Sequence, residues 1–409
     1  MVSVQKETSS IGSTKAALPY VATTPNCWSS DTPTYRFGVT EAKGPRRTME
    51  DAHSYTVDYA GIHGQGFFAI FDGHAGKEAA DWCGENFHKR LLQAIHENPE
   101  MSIPDVYNTT FHAVDRVLSK ISEDSDGKMH SGCTAVTAFL RIEDTEGQQS
   151  FADALSLPSP PLSPASSMDQ DADKGQDDAD DVKKSPSPSK FKRAIQKLSH
   201  SSPATPISPE ATPRSQSPNN TREGAASGAP QRPPPGQSLR RVLYVANAGD
   251  ARGVLCRGGK ALRLTYDHKG TDKQEAKRIM DSGGFVMSGR VNGVLAVTRS
   301  LGDSSMKDFV VGAPYTTETE LTEDDEFLIL ACDGVWDVLD DQAAANLIRT
   351  EQNPQAATET LLREALRLYT NDNITVMVIR FKDVPADAKG SSVPLTPTSE
   401  IGDAMNVDK

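Results

Sequence analysis

The 409-residue chain predicts an α+β fold in which antiparallel sheets stack under helical cover. Three observations carry this reading. Short runs such as Gly66-Phe67-Phe68-Ala69-Ile70-Phe71 and Glu326–Ala331 are apolar at nearly every position and too brief for a helix, as expected of strands buried on both faces. Helical patterns come in pairs between such runs, where a βαβ repeat would place one after each strand. Four acidic motifs abut strand-like runs far apart in the chain: Met49-Glu50-Asp51, Phe71-Asp72-Gly73-His74, Ala331-Cys332-Asp333-Gly334 and Asn371-Asp372-Asn373.

Residues 1–34 are Ser/Thr-rich and aperiodic, an N-terminal tail expected to be disordered. Globular text begins at Tyr35. After the Gly66–Phe71 strand, Ala75–Leu92 reads as a helix. A second helix is expected over Ile103–Ile121, with Val106, Phe111, Val114, Val117 and Leu118 at roughly helical spacing. Cys133–Ile142 is a strand. Residues 151–238 then hold 15 of the 26 prolines and bury too little apolar surface to offset their ordering entropy, so a disordered insert is expected. The strand Arg241–Ala246 resumes the fold. The strands either side of the insert are consecutive, so it reads as an enlarged hairpin loop, cheap because closure entropy grows only logarithmically with length. Val254–Cys256 and Leu262–Thr265 are strands around the turn Arg257-Gly258-Gly259-Lys260. Asp272–Ser282 is a helix stopped by Gly283-Gly284. Two helices, Asp341–Thr350 and Pro354–Tyr369, precede the closing strand Asn373–Phe381. Residues 384–409 form a polar C-terminal tail, expected to be disordered. One domain over 35–383, interrupted by 151–238, has enough chain for a single large core.

The net charge is −13, and the insert contributes none of it, with ten acidic and ten basic residues. The acidity therefore sits mainly in the folded parts, which argues against nucleic-acid binding. Five cysteines in an odd set without CxxC spacing disfavour a disulfide framework and a structural zinc site, and suit a reducing compartment. No apolar run approaches the roughly 20 residues needed to span a bilayer, and no signal peptide is recognisable. A monomer in the cytoplasm or nucleus, away from membranes, is the expectation.

Carboxylates delivered by strand ends can converge on one point, and there they would repel one another unless cations lay among them. Glu50, Asp72, Asp333 and Asp372 carry the charge that two divalent ions would neutralise, and hard oxygen donors favour Mg²⁺ or Mn²⁺ over Zn²⁺. A lone Asp72 would as readily cap the following helix, but the repeated Asp-Gly at Asp333-Gly334 is hard to explain as capping twice. Gly73, without a side chain, lets a metal reach its carbonyl. Glu50, Asp51 and Asp372 draw their weight only from the set. Histidine's ordinary pKa lies near neutrality, so His74 suits a general acid, or equally a helix-start histidine bonded to backbone. Arg46 and Arg47 offer forks that match phosphate oxygens, or are plain surface charges.

Nine motifs occur in order: Arg46–Asp51, Phe71–Gly76, Ser131–Ala135, Asn247–Arg252, Asp267–Lys269, Arg290–Gly293, Leu295–Asp303, Ala331–Val338 and Asp372–Val376. Together they resemble the metal-dependent type 2C Ser/Thr protein phosphatases (PPM-type), and most of all the small fungal members. The resemblance implies a central β-sandwich of two antiparallel sheets flanked by helices on both sides, four layers in αββα order, with metals at one end. It implies two Mg²⁺ or Mn²⁺ ions bridged by Asp72, one also held by Glu50 and the Gly73 carbonyl, the other by Asp333 and Asp372. Asp51 supports a metal-bound water without itself touching the metal, Arg46 binds the substrate phosphate, and His74 protonates the leaving alkoxide. Asp250 and Asp337 fall where related enzymes carry a weaker third metal, and residues from about Asp267 to Thr316 include a mobile flap. The implied activity is hydrolysis of phosphoserine and phosphothreonine in proteins by direct attack of a bridging hydroxide. The implied setting is negative regulation of stress-type MAP-kinase cascades. Cys133 stands where many relatives have a small hydroxyl residue, and Gly270 where proline is common.

Nine Ser/Thr-Pro dipeptides, from Ser159 to Ser217, make the insert a candidate substrate of proline-directed kinases. Within it, Phe191, Ile195 and Leu198 would share one helical face behind basic residues, a pattern that fits docking to a MAP kinase as well as a solvated spacer. Competing classes fail on sequence. Positions six beyond the cysteines are Pro33, Lys89, Phe139, Leu262 and Val338, so no Cys-x5-Arg phosphatase loop exists. Neither a Gly-Asn-His-Glu stretch nor a P-loop motif is present. A catalytically weak phosphatase-like scaffold that binds phosphoproteins is the alternative, and it would be expected to lack a metal ligand.

Overall fold

Two five-stranded antiparallel sheets form the centre of the computed structural model, which describes residues 35–125, 129–150, 230–233 and 238–381. The expectations for the two tails, and for the insert with its Lys190–Leu198 segment, lie outside these residues, apart from 230–233 and 238 near the insert's C-terminal end. The first strands are β1 (Arg36–Ala42), β2 (Ala52–Val57), β3 (Gly66–Phe71) and the short β4 (Gly73–His74), followed by helices α1 (Glu78–Glu97) and α2 (Ile103–Asp124). Next come β5 (Gly132–Cys133), β6 (Ala135–Glu143), β7 (Arg240–Ala248), β8 (Arg252–Arg257), β9 (Lys260–Arg263) and helix α3 (Lys273–Asp281). The small strands β10 (Val286–Met287), β11 (Arg290–Val291) and β12 (Leu301–Gly302) lead to β13 (Tyr315–Glu320) and β14 (Asp325–Ala331). Helices α4 (Asp333–Trp336), α5 (Asp341–Ile348) and α6 (Pro354–Arg367) precede β15 (Ile374–Arg380). One sheet has the order β2-β3-β6-β7-β13, the other β1-β15-β14-β8-β9.

The apolar runs explain the layering. Successive strand residues point to opposite faces, so Phe67, Ala69 and Phe71 pack outward with Phe87, Leu91 and Phe111 of α1 and α2. Phe68 and Ile70 point inward, into a core shared with Phe37, Val39, Leu328, Leu330 and Met377 of the other sheet. Ile329, Val376 and Val378 face outward again, onto Trp336, Ile348 and Leu361 of α4 to α6. Every strand in the middle of the sandwich is thus covered on both faces. Each fully buried Phe or Leu contributes about 2–3 kcal/mol of transfer free energy.

The β6–β7 pair, with Ala135 opposite Ala248 and Glu143 opposite Arg240, makes the insert-bearing connection a hairpin. One boundary moves. Gln231 lies inside the stretch expected to be disordered, yet its amide donates to Gly61 O (2.7 Å) and its carbonyl accepts from His63 N (2.8 Å). Both bonds are main-chain bonds, which leave no trace in side-chain pattern. The first helix also starts later than expected, at Glu78, because Ala75 (φ 56°) and Gly76 (φ 120°) take left-handed backbone that an α-helix excludes. The expected Cys133–Ile142 strand is interrupted at Thr134, so that Cys133 belongs to the small β12-β5-β4 sheet.

The segment from Asp267 to Thr316 is organised by a buried carboxylate. Asp272 caps α3 by accepting from the amides of Gln274 and Glu275. Glu275 then accepts from Arg299 Nη2 at 2.6 Å, Thr298 Oγ1 at 2.8 Å and Arg278 Nη2 at 3.1 Å. Burial alone would raise its pKa, but the Arg299 contacts, with Thr298 and Arg278, outweigh burial and hold it down at about 2. The folded value lies below the unfolded one, so this stabilisation is present above the ordinary Glu range and is lost as pH falls towards 2. Glu275→Gln is expected to cost ~2 kcal/mol at pH 7. The gap to the parent protein should narrow as pH falls from about 5 towards 2, as read by urea unfolding across that range. A gap independent of pH would mean that shape, not charge, holds this segment.

Candidate active site

Strand register brings the acidic motifs to one end of the sandwich. Ala52 pairs with Phe71, so Asp51 and Asp72 flank one end of the β2–β3 pair. Ala331 pairs with both Val376 and Arg252, so Asp333 after β14, Asp372 before β15 and Asp250 before β8 share an end of the other sheet. The two ends are joined directly, since Thr375 Oγ1 donates to Asp51 Oδ2 at 2.7 Å.

The repeated Asp-Gly has a steric reason that sequence reading missed. A Cβ on Gly73 would stand 2.3 Å from Glu50 O, and one on Gly334 would stand 1.9 Å from Asn373 O. Each glycine therefore lets the segment carrying another acid, Glu50 or Asp372, lie directly on the strand end. Asn373 completes the closure. Its side chain donates to Lys43 O (2.8 Å) and Thr48 O (2.9 Å) and accepts from Glu50 N (2.9 Å). It thus staples the 43–50 loop to the start of β15. Asn373 was read only as part of a motif, because its partners lie more than 320 positions away.

The carboxylates feel one another. Burial, then the charges of Asp51, Asp333, Asp250 and Asp372, push Asp72 well above the carboxylate range. Burial, with Asp250, Asp337 and Asp372, does the same to Asp333. Burial pushes Asp51 up to about 6 against the bond from Thr375. Asp51 Oδ1 is buried with no hydrogen-bond partner. Ligand atoms of Asp51, Asp72 and Cys332 lie within 4.8 Å of one another. Burial and these same acids raise the Cys332 thiol, so it stays a neutral small side chain, accepting from Thr375 N. What remains is a set of hard oxygens with too little positive charge, and this fits Mg²⁺ or Mn²⁺. Asp72 does not cap a helix, for the N-cap of α1 is Lys77.

The other candidates lie around this cluster. Glu50 sits at the rim, where its carboxylate accepts from Thr48 Oγ1 at 3.1 Å. Arg46 is exposed, donates to Asn371 O at 3.1 Å and pairs with Asp372. Arg47 is exposed. His74 Nε2 lies 2.7 Å from Asp303 Oδ2. Asp250 is buried and Asp337 exposed, and the Lys269 ammonium bridges them at 3.3 Å and 3.0 Å. The protein thus supplies its own cation at the locus implied for a third metal. The loop carrying Asp250 is held by His268, whose Nδ1 lies against Gly249, and burial lowers that imidazole to about 4. Asp303 closes the Leu295–Asp303 motif, yet the motif gives it no role, because its partner His74 stands 229 positions away.

Comparison with known proteins agrees with this architecture. The sequence profile of the family described as protein phosphatase 2C matches residues 35–146 and 235–374. Protein phosphatase 2C homolog 1 of Saccharomyces cerevisiae is 37% identical over 350 residues, 85% of this chain and 93% of the relative. Its Schizosaccharomyces pombe namesake is 34% identical over 349 residues, 85% and 73% of the two chains. The crystal structure of a phosphatase from Toxoplasma gondii superposes with a TM-score of 0.54 at 21% identity, over 85% of this chain and 93% of that one, which supports the fold. The profile spans most of the chain, and two fungal relatives align along 85% of it, so the chain belongs to the protein phosphatase 2C family.

Proposed function

We propose that this chain hydrolyses phosphoserine and phosphothreonine in proteins by direct attack of water on phosphorus. The observation that carries the proposal is the convergence of Asp51, Asp72, Asp250, Asp333 and Asp372 at one end of the sandwich, with Arg46 and His74 at its rim. Asp72, the Gly73 carbonyl and Glu50 would hold one Mg²⁺ or Mn²⁺, and Asp333 and Asp372 with Asp72 a second. When bound, the ions supply neutralisation of the cluster and a nucleophilic water near neutral pH. Arg46 offers its fork to the phosphate oxygens. Asp51, with one oxygen unpaired, is placed to accept a proton from the attacking water. The bond from water oxygen to phosphorus forms as the bond to the serine or threonine oxygen breaks, and His74 gives that oxygen its proton. No phosphoenzyme is needed. A third ion at Asp250 and Asp337 would have to displace Lys269.

The test is release of inorganic phosphate from a phosphothreonine peptide with Mn²⁺, repeated in EDTA. Turnover that EDTA abolishes is the expected result. Phosphopeptide binding without turnover would favour the scaffold reading. The resemblance to small fungal members further supports a monomeric negative regulator of stress-type MAP-kinase signalling in the cytoplasm or nucleus. On a doubly phosphorylated activation-loop peptide, the enzyme should release phosphate from threonine and leave phosphotyrosine. Equal release from both would count against that substrate class. Among the described residues no helix is long and apolar enough to cross a membrane.

A further inference from the structure

We propose that Asp303 is the positioning residue for the leaving-group acid. It keeps His74 Nε2 occupied, so that Nδ1 is the nitrogen offered to the departing serine or threonine oxygen. This rests on the phosphatase reading above. The Nε2–Oδ2 distance is 2.7 Å, and an ionised carboxylate can only accept, so Nε2 carries the hydrogen. With that nitrogen committed, only Nδ1 is left for substrate, and the His74 side chain is 25% exposed, open to what binds at the rim.

The contact is built into the fold. Asp303 is nearly buried, and its Oδ2 also accepts from the Ser300 hydroxyl. Its backbone adopts φ 48°, a left-handed conformation that surroundings must impose on a non-glycine residue. Those surroundings are visible. Gly132 of β5 pairs with His74 of β4 on one side and with Gly302 of β12 on the other, so one strand carries both partners. A Cβ on Gly132 would stand 2.1 Å from Asp303 Oδ2. Behind β12, Asp115 of α2 accepts from Gly302 N at 2.9 Å and Lys307 Nζ at 2.8 Å, which ties down the segment that leads into Asp303.

The chemistry follows. As the bond from phosphorus to the leaving oxygen breaks, its electron pair takes the Nδ1 proton of the charged imidazole, while Nε2–H stays on Asp303. The ring regains a proton from solvent, and the attacking water loses one to Asp51 and through it to solvent, so water and phosphoester become alcohol and phosphate. An imidazole free to rotate would present Nδ1 only part of the time. A nitrophenolate leaves without a proton and should not notice.

The experiment uses the full chain with Asp303→Asn, which keeps shape and removes charge, Asp303→Ala, His74→Ala and the double variant His74→Ala/Asp303→Asn. Turnover is measured on a phosphothreonine peptide and on p-nitrophenyl phosphate. For Asp303→Asn the expected result is a kcat loss of about 10–100-fold on the peptide. KM should change little, and the loss on p-nitrophenyl phosphate should stay under about 3-fold. No additional loss should appear in the His74→Ala background. Nitrogen-15 NMR of His74 should report the Nε2–H form in the parent and lose that signature in Asp303→Ala. Equal losses on both substrates, additive losses with His74→Ala, or unchanged His74 shifts would each overturn the proposal. A parent protein that turns over neither substrate would instead count against the phosphatase reading, and the NMR arm would still decide what Asp303 does to His74.

Discussion

Asp72→Asn is expected to lower kcat on a phosphothreonine peptide by about 10³-fold or more, the scale of several kcal/mol that bound divalent ions give to a charged transition state. Mn²⁺ affinity, read by calorimetry, should fall with it. Stability should move the other way. Burial and the charges of Asp51, Asp333, Asp250 and Asp372 raise the Asp72 pKa in the folded protein. A carboxyl whose folded value exceeds its unfolded value stabilises only below the unfolded value, and by pH 7 that contribution has been lost to a net cost. Removing the charge should therefore raise the stability of the metal-free protein by about 1 kcal/mol or more, measured by urea unfolding in EDTA. A variant that is both inactive and less stable in EDTA would show that Asp72 serves packing, and the crowded-carboxylate account would fail.

Gly334→Ala is expected to be nearly as damaging, although position 334 offers no ligand. The added methyl would meet Asn373 O at 1.9 Å, a backbone atom that cannot move without its strand. The cost should be ~2–3 kcal/mol in urea unfolding, at the upper end of overpacking penalties. The strain falls on the segment that holds Asp372 and, through the Asn373 staple, on the loop with Arg46 and Glu50. Mn²⁺ affinity should drop about 10–100-fold, as when groups that support ligands are lost. Gly84→Ala, within α1, is the control, because a Cβ there meets only Ala52 and His53 of β2, at an ordinary 3.5 Å. Its stability should stay level or rise by ~0.5–1 kcal/mol. If Gly334→Ala bound Mn²⁺ as the parent does, close approach of the Asn373 segment would not be what shapes the site.

Much of the fold could be read in advance where burial is two-sided. Runs such as Phe67–Phe71 and Phe327–Ala331 are apolar at both parities because helices cover the outer face of each sheet and the partner sheet covers the inner. β13 was not anticipated. Its sequence, Tyr315–Glu320, is polar and half exposed at a sheet edge, and only pairing with β7 makes it a strand. The short strands β4, β5 and β12 escaped for a related reason, since two residues carry no periodicity. They matter most at the site, because they place His74 beside Asp303.

By itself the sequence determined the family through nine ordered motifs and the layered sheets through their apolar runs, and its carboxylates set the expectation of divalent metal. These are properties of residue type and order, which survive without coordinates. Only the tertiary structure decided why each of Asp72 and Asp333 is followed by glycine, what Asn373 ties together, that Lys269 bridges Asp250 and Asp337, and that Asp303 stands behind His74. Each of those depends on atoms brought together from distant parts of the chain. Contact at 2–3 Å is set by strand register and loop closure, and no local pattern encodes it.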